Sequence, residues 1–305
     1  MKGMTTVKRF AMAVGVAMLS GLLAAAVSVA ARDHRAASRS PRHQPARRGP
    51  VARSGHAIRH VVWLLMENKD YSSVIGSDAA PYINRLARHY GLATNYSAIS
   101  HPSLPNYIAL TSGSTQGISD DSGPSSHRLS APSIFSQLPH GASRSLEQDM
   151  PSNCARDDSG GYAVRHNPEA YYTNLGRDCG RYDVPFGARP NLAARFTFIT
   201  PNLTNDMHDG SIQDGNSFLE RYVPALMATP QYRAGDTVIF ITWDENDGAG
   251  GNRVPCIVIS PYTHGVRDAA RYSHYSLLRT TESLLGLPLL GGARSAGSMR
   301  GRFGF

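Results

Sequence analysis

The sequence predicts an α/β fold with a mostly parallel central sheet and helices on both faces. Three observations predict it. Apolar, β-branched segments alternate with amphipathic helical segments along the chain. Two of the apolar segments are continuous runs, as expected of strands buried on both faces. Both runs stop abruptly at polar and acidic residues, the place where open α/β sheets bind ligands.

The elements follow in chain order. His60–Met66 (HVVWLLM) reads as a buried strand and stops at Glu67-Asn68. Pro81–Tyr90 sets Tyr82, Leu86 and Tyr90 on one helical face, with proline in its first turn. Ser103–Ser112 reads as a second helix, opened by a proline-containing turn. Arg195–Thr200 is a short strand that ends at Pro201-Asn202, and Asn216–Met227 is helical. Thr237–Trp243 (TVIFITW) is a β-branched strand that ends at Asp244-Glu245, and Val254–Ser260 is a further strand. Tyr275–Leu285 carries an apolar stripe and is closed by Gly286 and Pro288. No internal repeat is visible.

The chain has 305 residues, 41% hydrophobic and 18% charged, which excludes a disordered chain, a coiled coil and a collagen-like fibre. A single apolar stretch approaches membrane length, and it lies at the N-terminus, so a polytopic membrane protein is excluded. Lys2, Lys8 and Arg9 precede the apolar segment Phe10–Val27, and Ser28, Ala30 and Ala31 follow it. That order predicts a secretory signal peptide over residues 1–31, with an uncleaved anchor as the alternative. Residues 32–57 are rich in Arg, Ala, Ser and Pro and predict a disordered basic linker. One domain is expected over 58–305.

Charge is unevenly spread. Residues 1–59 hold 11 basic and one acidic residue, whereas residues 60–305 hold 20 basic and 22 acidic. The folded part therefore shows no overall footprint for nucleic acid. The tail is a solvated spacer or a weak attachment to an anionic cell envelope. Of the three cysteines, Cys154 and Cys179 share a polar, Gly-rich region where a disulfide would staple a long loop; three free thiols are the alternative. Cys256 lies inside an apolar run and reads as a core thiol. No Cys-x-x-Cys pair supports a zinc thiolate site.

Four polar clusters can carry chemistry. Glu67-Asn68 offers hard-oxygen metal ligands after a buried strand, though such a pair also caps helices or turns. Ser103 stands between Pro102 and Leu104-Pro105 at a helix start, as a nucleophile aided by the helix dipole or simply as a cap. No Gly-x-Ser-x-Gly elbow is present, which argues against a Ser-His-Asp hydrolase. His208 is flanked by Asp206 and Asp209 and suits a proton donor or a metal ligand. Asp244, Glu245 and Asp247 crowd three acids into four positions, which repel one another unless a cation neutralises them. They lack the register of an EF-hand loop. His274, before the last helix, gains interest only if the sheet edge is a site.

In this order the motifs Met66-Glu67-Asn68, Pro102-Ser103-Leu104-Pro105-Asn106-Tyr107, Asn205-Asp206-Met207-His208-Asp209-Gly210-Ser211, Thr242-Trp243-Asp244-Glu245 and Ser273-His274-Tyr275 resemble the phosphoesterase family. That family unites bacterial acid phosphatases and non-specific phospholipases C within the alkaline-phosphatase superfamily. The likeness spans about residues 58–290. It implies an alkaline-phosphatase-like fold and a phosphoesterase catalytic domain over 58–305. It implies a divalent metal (Ca, Mg, Mn or Zn) on Glu67, Asn68, Asp244 and Glu245. Ser103 matches the nucleophile, which would form a phosphoserine. His208 and His274 match histidines near the phosphate or leaving group.

The implied function is a secreted acid phosphatase acting on phosphate esters. A phospholipase C-like diesterase and a non-catalytic envelope-binding protein are the alternatives. No nucleic-acid partner and no permanent membrane anchor are expected. Two departures from the family pattern stand out. Met207-His208 replaces the paired histidines of larger acid phosphatases, and the chain ends at Phe305 without the long C-terminal extensions of phospholipases C, which favours the shorter phosphatase type.

Overall fold

The computed structural model describes residues 57–187, 190–248 and 250–305. The expected signal peptide, and all but the last residue of the expected linker, lie outside the described residues. The chain enters through β1 (His60–Met66), α1 (Tyr71–Val74), α2 (Pro81–His89), β2 (Gly91–Ala93) and β3 (Tyr96–Ser97). It continues through α3 (Ser103–Ser112), α4 (Ile134–Gln137) and β4 (Ser143–Glu147). Three 3₁₀ turns, the first at Val164–His166, lead to α5 (Cys179–Tyr182), β5 (Asp183–Pro185) and β6 (Phe196–Thr200). Then come α6 (Ile212–Met227), α7 (Pro230–Arg233), β7 (Thr237–Trp243), β8 (Cys256–Ile259), β9 (Val266–Asp268), β10 (Tyr272–Ser273) and α8 (His274–Leu285).

Eight strands form one sheet in the order β5-β4-β6-β1-β7-β8-β2-β9. Only β8 runs antiparallel to its neighbours, β7 and β2. The expectation of a mostly parallel α/β sheet holds. β1 sits at the centre, and Val61 through Met66 are fully buried, as its unbroken apolar run requires. Helices cover both faces. Trp63 donates its indole N–H to Thr281 of α8 at 2.9 Å. Met66, three residues on and so on the opposite face, packs at Gly215 of α6.

Where the elements differ from expectation, the cause is local. α6 begins at Ile212, four residues before the expected start, because Ser211 and Asp214 form a capping box. The strand expected over Val254–Ser260 narrows to Cys256–Ile259, since Pro255 has no N–H for a ladder. α2 stops at His89, and β6 begins at Phe196. Cys154 and Cys179 are joined, and Cys256 is a free buried thiol. Among the described residues no helix is long and apolar enough to cross a membrane.

Candidate active site

The β1–β7 register builds the site. Met66 pairs with Trp243, so Glu67-Asn68 and Asp244-Glu245 leave the sheet side by side at the carboxyl ends of adjacent parallel strands. Asp244 donates its N–H to the Met66 carbonyl at 3.0 Å, and Asn68 donates its N–H to Asp244 Oδ1 at 3.2 Å. Asn68 has φ +48°, a left-handed conformation that asparagine tolerates better than most residues. β6 delivers the third wall: after it the chain turns back, and Asp206 accepts the Glu67 N–H at its carbonyl, 2.8 Å away.

Ser103 opens α3, whose ten residues are all buried. Its hydroxyl donates to Glu67 Oε2 at 3.1 Å, and the Tyr107 phenol, one turn on, donates to Glu67 Oε1. Asp121 accepts the Leu104 N–H at 2.9 Å and caps the helix start. Asn106 fastens the preceding turn, accepting from Ile99 and Ser100 N–H and donating to the Ser100 and Pro102 carbonyls. It also donates to Glu245 Oε2 at 3.3 Å, an oxygen that lies 2.8 Å from His101 Nδ1.

The carboxyls stand in mutual tension. Burial, then the charges of Asp244 and Asp206, push Glu67 well above the usual carboxylate range. Burial raises Asp244 to about 7 and Asp206 to about 7. Glu245 is raised to about 9 by burial and by the Asp244 charge. His166 lies between two of these acids, 3.4 Å from Glu67 Oε2 and 3.3 Å from Asp206 Oδ2, and stacks on Tyr107. Burial holds His166 well below the usual imidazole range.

Of the histidines expected at the site, His208 lies in reach of it. Its ring centroid is 5.5 Å from that of His166. Its Nε2 accepts from Arg165 at 3.1 Å, and its Nδ1 donates to Asp209 at 2.7 Å. His274 occupies a different place. It is fully buried, its Nε2 donates to the Asp244 carbonyl at 2.6 Å, and its Nδ1 accepts from the Tyr96 hydroxyl at 3.0 Å. Burial lowers its pKa to about 4. The resemblance put His274 near the phosphate or leaving group; here both of its ring nitrogens are engaged inside the protein, one of them at the Asp244 carbonyl.

The site suits a hard divalent cation. Asn68 Oδ1 and Asp244 Oδ2 are buried and have no hydrogen-bond partner, and a buried oxygen left unpaired is costly unless a cation takes it. No lysine or arginine forms an ion pair with Glu67, Asp244 or Glu245 among the described residues. Sequence reading did not single out His166, Arg165, Lys69 or Asp121. His166 and Arg165 lie in a polar stretch without strand or helix periodicity, so no local signal marked them.

A model of the phosphoesterase family matches residues 76–288. The chain belongs to the phosphoesterase family. It is therefore a phosphate-ester hydrolase by membership. The phosphatidylinositol-3-phosphatase of Mycobacterium tuberculosis is 31% identical over 256 residues, covering 81% of this chain and 84% of that protein. The phosphate-repressible acid phosphatase of Penicillium chrysogenum is 28% identical, covering 78% of this chain and 61% of that protein. The phosphoesterase domain also has the alkaline-phosphatase superfamily fold. A member from Vibrio parahaemolyticus superposes with a TM-score of 0.51 at 12% identity, over 78% of this chain and 70% of that one. The lipoteichoic acid synthase LtaP of Listeria monocytogenes superposes with a TM-score of 0.53 at 9% identity, over 82% and 76%.

Proposed function

We propose that the protein is an exported phosphomonoesterase of the acid-phosphatase type, with Ser103 as nucleophile and a phosphoserine intermediate. The observation that carries this reading is the Ser103 hydroxyl, held at a helix N-terminus and hydrogen-bonded at 3.1 Å to a buried carboxyl. Glu67, Asn68, Asp244 and Glu245 would hold a divalent cation. When bound, the cation supplies charge neutralisation at the phosphoryl oxygens and a lower pKa for the serine hydroxyl.

The residues divide the remaining work. Glu67 Oε2 orients Ser103 Oγ and stands ready to take its proton. Ser103 Oγ attacks phosphorus in line, the ester P–O bond breaks, and phosphoserine forms. His208, on the partly exposed loop, would take up a proton at Nε2 from solvent, pass it to the departing alcohol oxygen, and then take one from the water that cleaves the phosphoserine. His166 and Tyr107 hold Glu67 from behind, and His274 holds Asp244. The Cys154–Cys179 disulfide supports export to an oxidising compartment. The mycobacterial relative is named a phosphatidylinositol-3-phosphatase, which supports including phosphatidylinositol 3-phosphate among the substrates to test.

The test is turnover of p-nitrophenyl phosphate beside bis-p-nitrophenyl phosphate from pH 4 to 9, with and without chelator. The monoester should be cleaved, chelator should stop it, and Ser103→Ala should lower kcat at least about 1,000-fold. Full activity in Ser103→Ala would eliminate the serine mechanism. Turnover of the diester alone would make the protein a phosphodiesterase.

A further inference from the structure

The site is crowded with carboxylates, yet a phosphate monoester brings up to two negative charges of its own. Two cationic side chains flank the segment that carries His208. Lys69, next to Asn68, donates from Nζ to the Met207 carbonyl at 2.7 Å. Arg165, next to His166, donates from Nη2 to His208 Nε2 at 3.1 Å. Neither forms an ion pair with a described carboxylate, although Glu67, Asp206, Asp209, Asp244 and Glu245 surround this part of the fold.

The Arg165 contact is a weak use of a guanidinium. The group has five N–H donors in a planar fork, shaped for two oxygens of a phosphate or carboxylate. Here one donor is engaged, and its acceptor is a neutral ring. On the same ring Nδ1 donates to Asp209 Oδ1 at 2.7 Å, which leaves Nε2 as the acceptor. A cation held only by a neutral acceptor gives that contact up readily to an anion. Both residues are partly buried, so solvent screens them less than it screens surface charges. The chain from nucleophile to guanidinium is short: Ser103 touches Glu67, Glu67 lies beside His166, His166 beside His208, and His208 touches Arg165.

We propose that Arg165 and Lys69 form a two-cation clamp that binds the phosphoryl oxygens of a dianionic monoester and sets the preference for monoesters over diesters. The clamp rests on the phosphomonoesterase reading above and adds its specificity device. A diester carries one charge and one fewer free oxygen, so it gains less from two cations. When Arg165 turns to the phosphate, it also frees His208 Nε2 to take up the proton that it passes to the leaving oxygen.

The experiment uses the full metal-supplemented protein near pH 7, where the monoester is largely dianionic. It compares kcat/KM for p-nitrophenyl phosphate and bis-p-nitrophenyl phosphate in wild type, Arg165→Ala, Arg165→Lys and Lys69→Ala, with binding of inorganic phosphate measured by calorimetry. Arg165→Ala should lose about 100-fold on the monoester and under about tenfold on the diester, with phosphate affinity falling in parallel. Arg165→Lys should fall between, since it keeps the charge and loses the fork. Added guanidinium ion should restore part of the Arg165→Ala monoester activity, which a merely structural defect would not allow. Equal losses on both esters with unchanged phosphate affinity would overturn the clamp and leave Arg165 as a prop for His208. A wild type that cleaves neither ester would remove the phosphomonoesterase reading. The clamp would then stand or fall on whether Arg165→Ala weakens phosphate binding.

Discussion

At the scale of single residues, proton chemistry separates the two histidines. His208 has an exposed edge and neighbours that can change, whereas His274 is locked between Tyr96 and the Asp244 carbonyl. Leaving-group dependence tests this. His208→Asn should slow an alkyl phosphate about 100-fold more than p-nitrophenyl phosphate, because p-nitrophenolate departs without a proton. His274→Asn should slow both equally and destabilise the fold by about 1–3 kcal/mol, since it leaves buried polar groups unpaired. A second substitution tests the support behind Glu67. Tyr107→Phe keeps the ring that stacks on His166 but removes the O–H that Glu67 accepts. Turnover should fall about 10- to 100-fold, the worth of one hydrogen bond to a charged group, with near-ultraviolet circular dichroism unchanged. The sequence marked Glu67, Asn68, Ser103, Asp244 and Glu245 because each stands where a buried strand ends or a helix begins. It was silent on His166 and Arg165, which reach the site only because a 3₁₀ turn in an aperiodic stretch folds across α3. His274 stood beside the right motif, but its burial was invisible before the tertiary contacts were known.

At the scale of elements, α6 shows how a helix and a loop constrain each other. Alanine is better than glycine inside a helix by about 1 kcal/mol, so Gly215→Ala would ordinarily stabilise. Here a Cβ at Gly215 would collide with Met207 Cε, and would meet Met207 Cγ at 2.5 Å and Met66 Cε at 2.9 Å. Met207 itself has φ +84° and precedes His208, so pushing it moves the loop that carries the proton donor. Gly215→Ala should therefore lower both the melting temperature and kcat, and adding Met207→Ala should restore part of the stability by opening space. A stabilised, fully active Gly215→Ala protein would show that the loop adapts freely. The same glycine explains a boundary missed in the sequence: the helical pattern starts at Asn216, yet the Ser211 capping box carries the helix back through Gly215 to Ile212. β1 and β7 were readable because seven-residue apolar runs fill the centre of a sheet. β2, β3, β9 and β10 have only two or three residues each, too few for any period to show, and their pairing depends on partners distant in sequence.

At the scale of the whole molecule, a second group of buried acids sets the pH at which the fold is happiest. Glu147 ends β4, Asp183 opens β5, and Glu169 lies on a 3₁₀ turn between them. Ser145 donates to Glu169 at 2.6 Å, and Asn167 donates to Asp183 at 2.8 Å. No described cation forms an ion pair with any of the three. Burial raises all three, Asp183 to about 7, and their mutual charge raises Glu147 and Glu169 further. The sign then follows from proton linkage. Each folded carboxyl keeps a proton that the unfolded chain releases near pH 4, so these three groups stabilise the fold most in acid, and the contribution of Asp183 is lost as pH rises toward about 7. The disulfide sits on this group, with Cys179 Sγ 3.7 Å from Asp183 Oδ2. Its closure of 25 residues of chain contributes about 3.5 kcal/mol by the loop-entropy model. Replacing both cysteines by serine should therefore lower stability at every pH. Asp183→Asn should act differently, because it removes one ionisation and leaves the staple. Calorimetric melting of the metal-loaded protein should show the wild-type midpoint falling from pH 5 to pH 8, and Asp183→Asn should flatten that fall and melt higher than wild type at pH 8. A wild-type midpoint that rose over this range would mean that the three acids are neutralised in some other way, and the fold would lose its physical preference for the acidic conditions in which an acid phosphatase works.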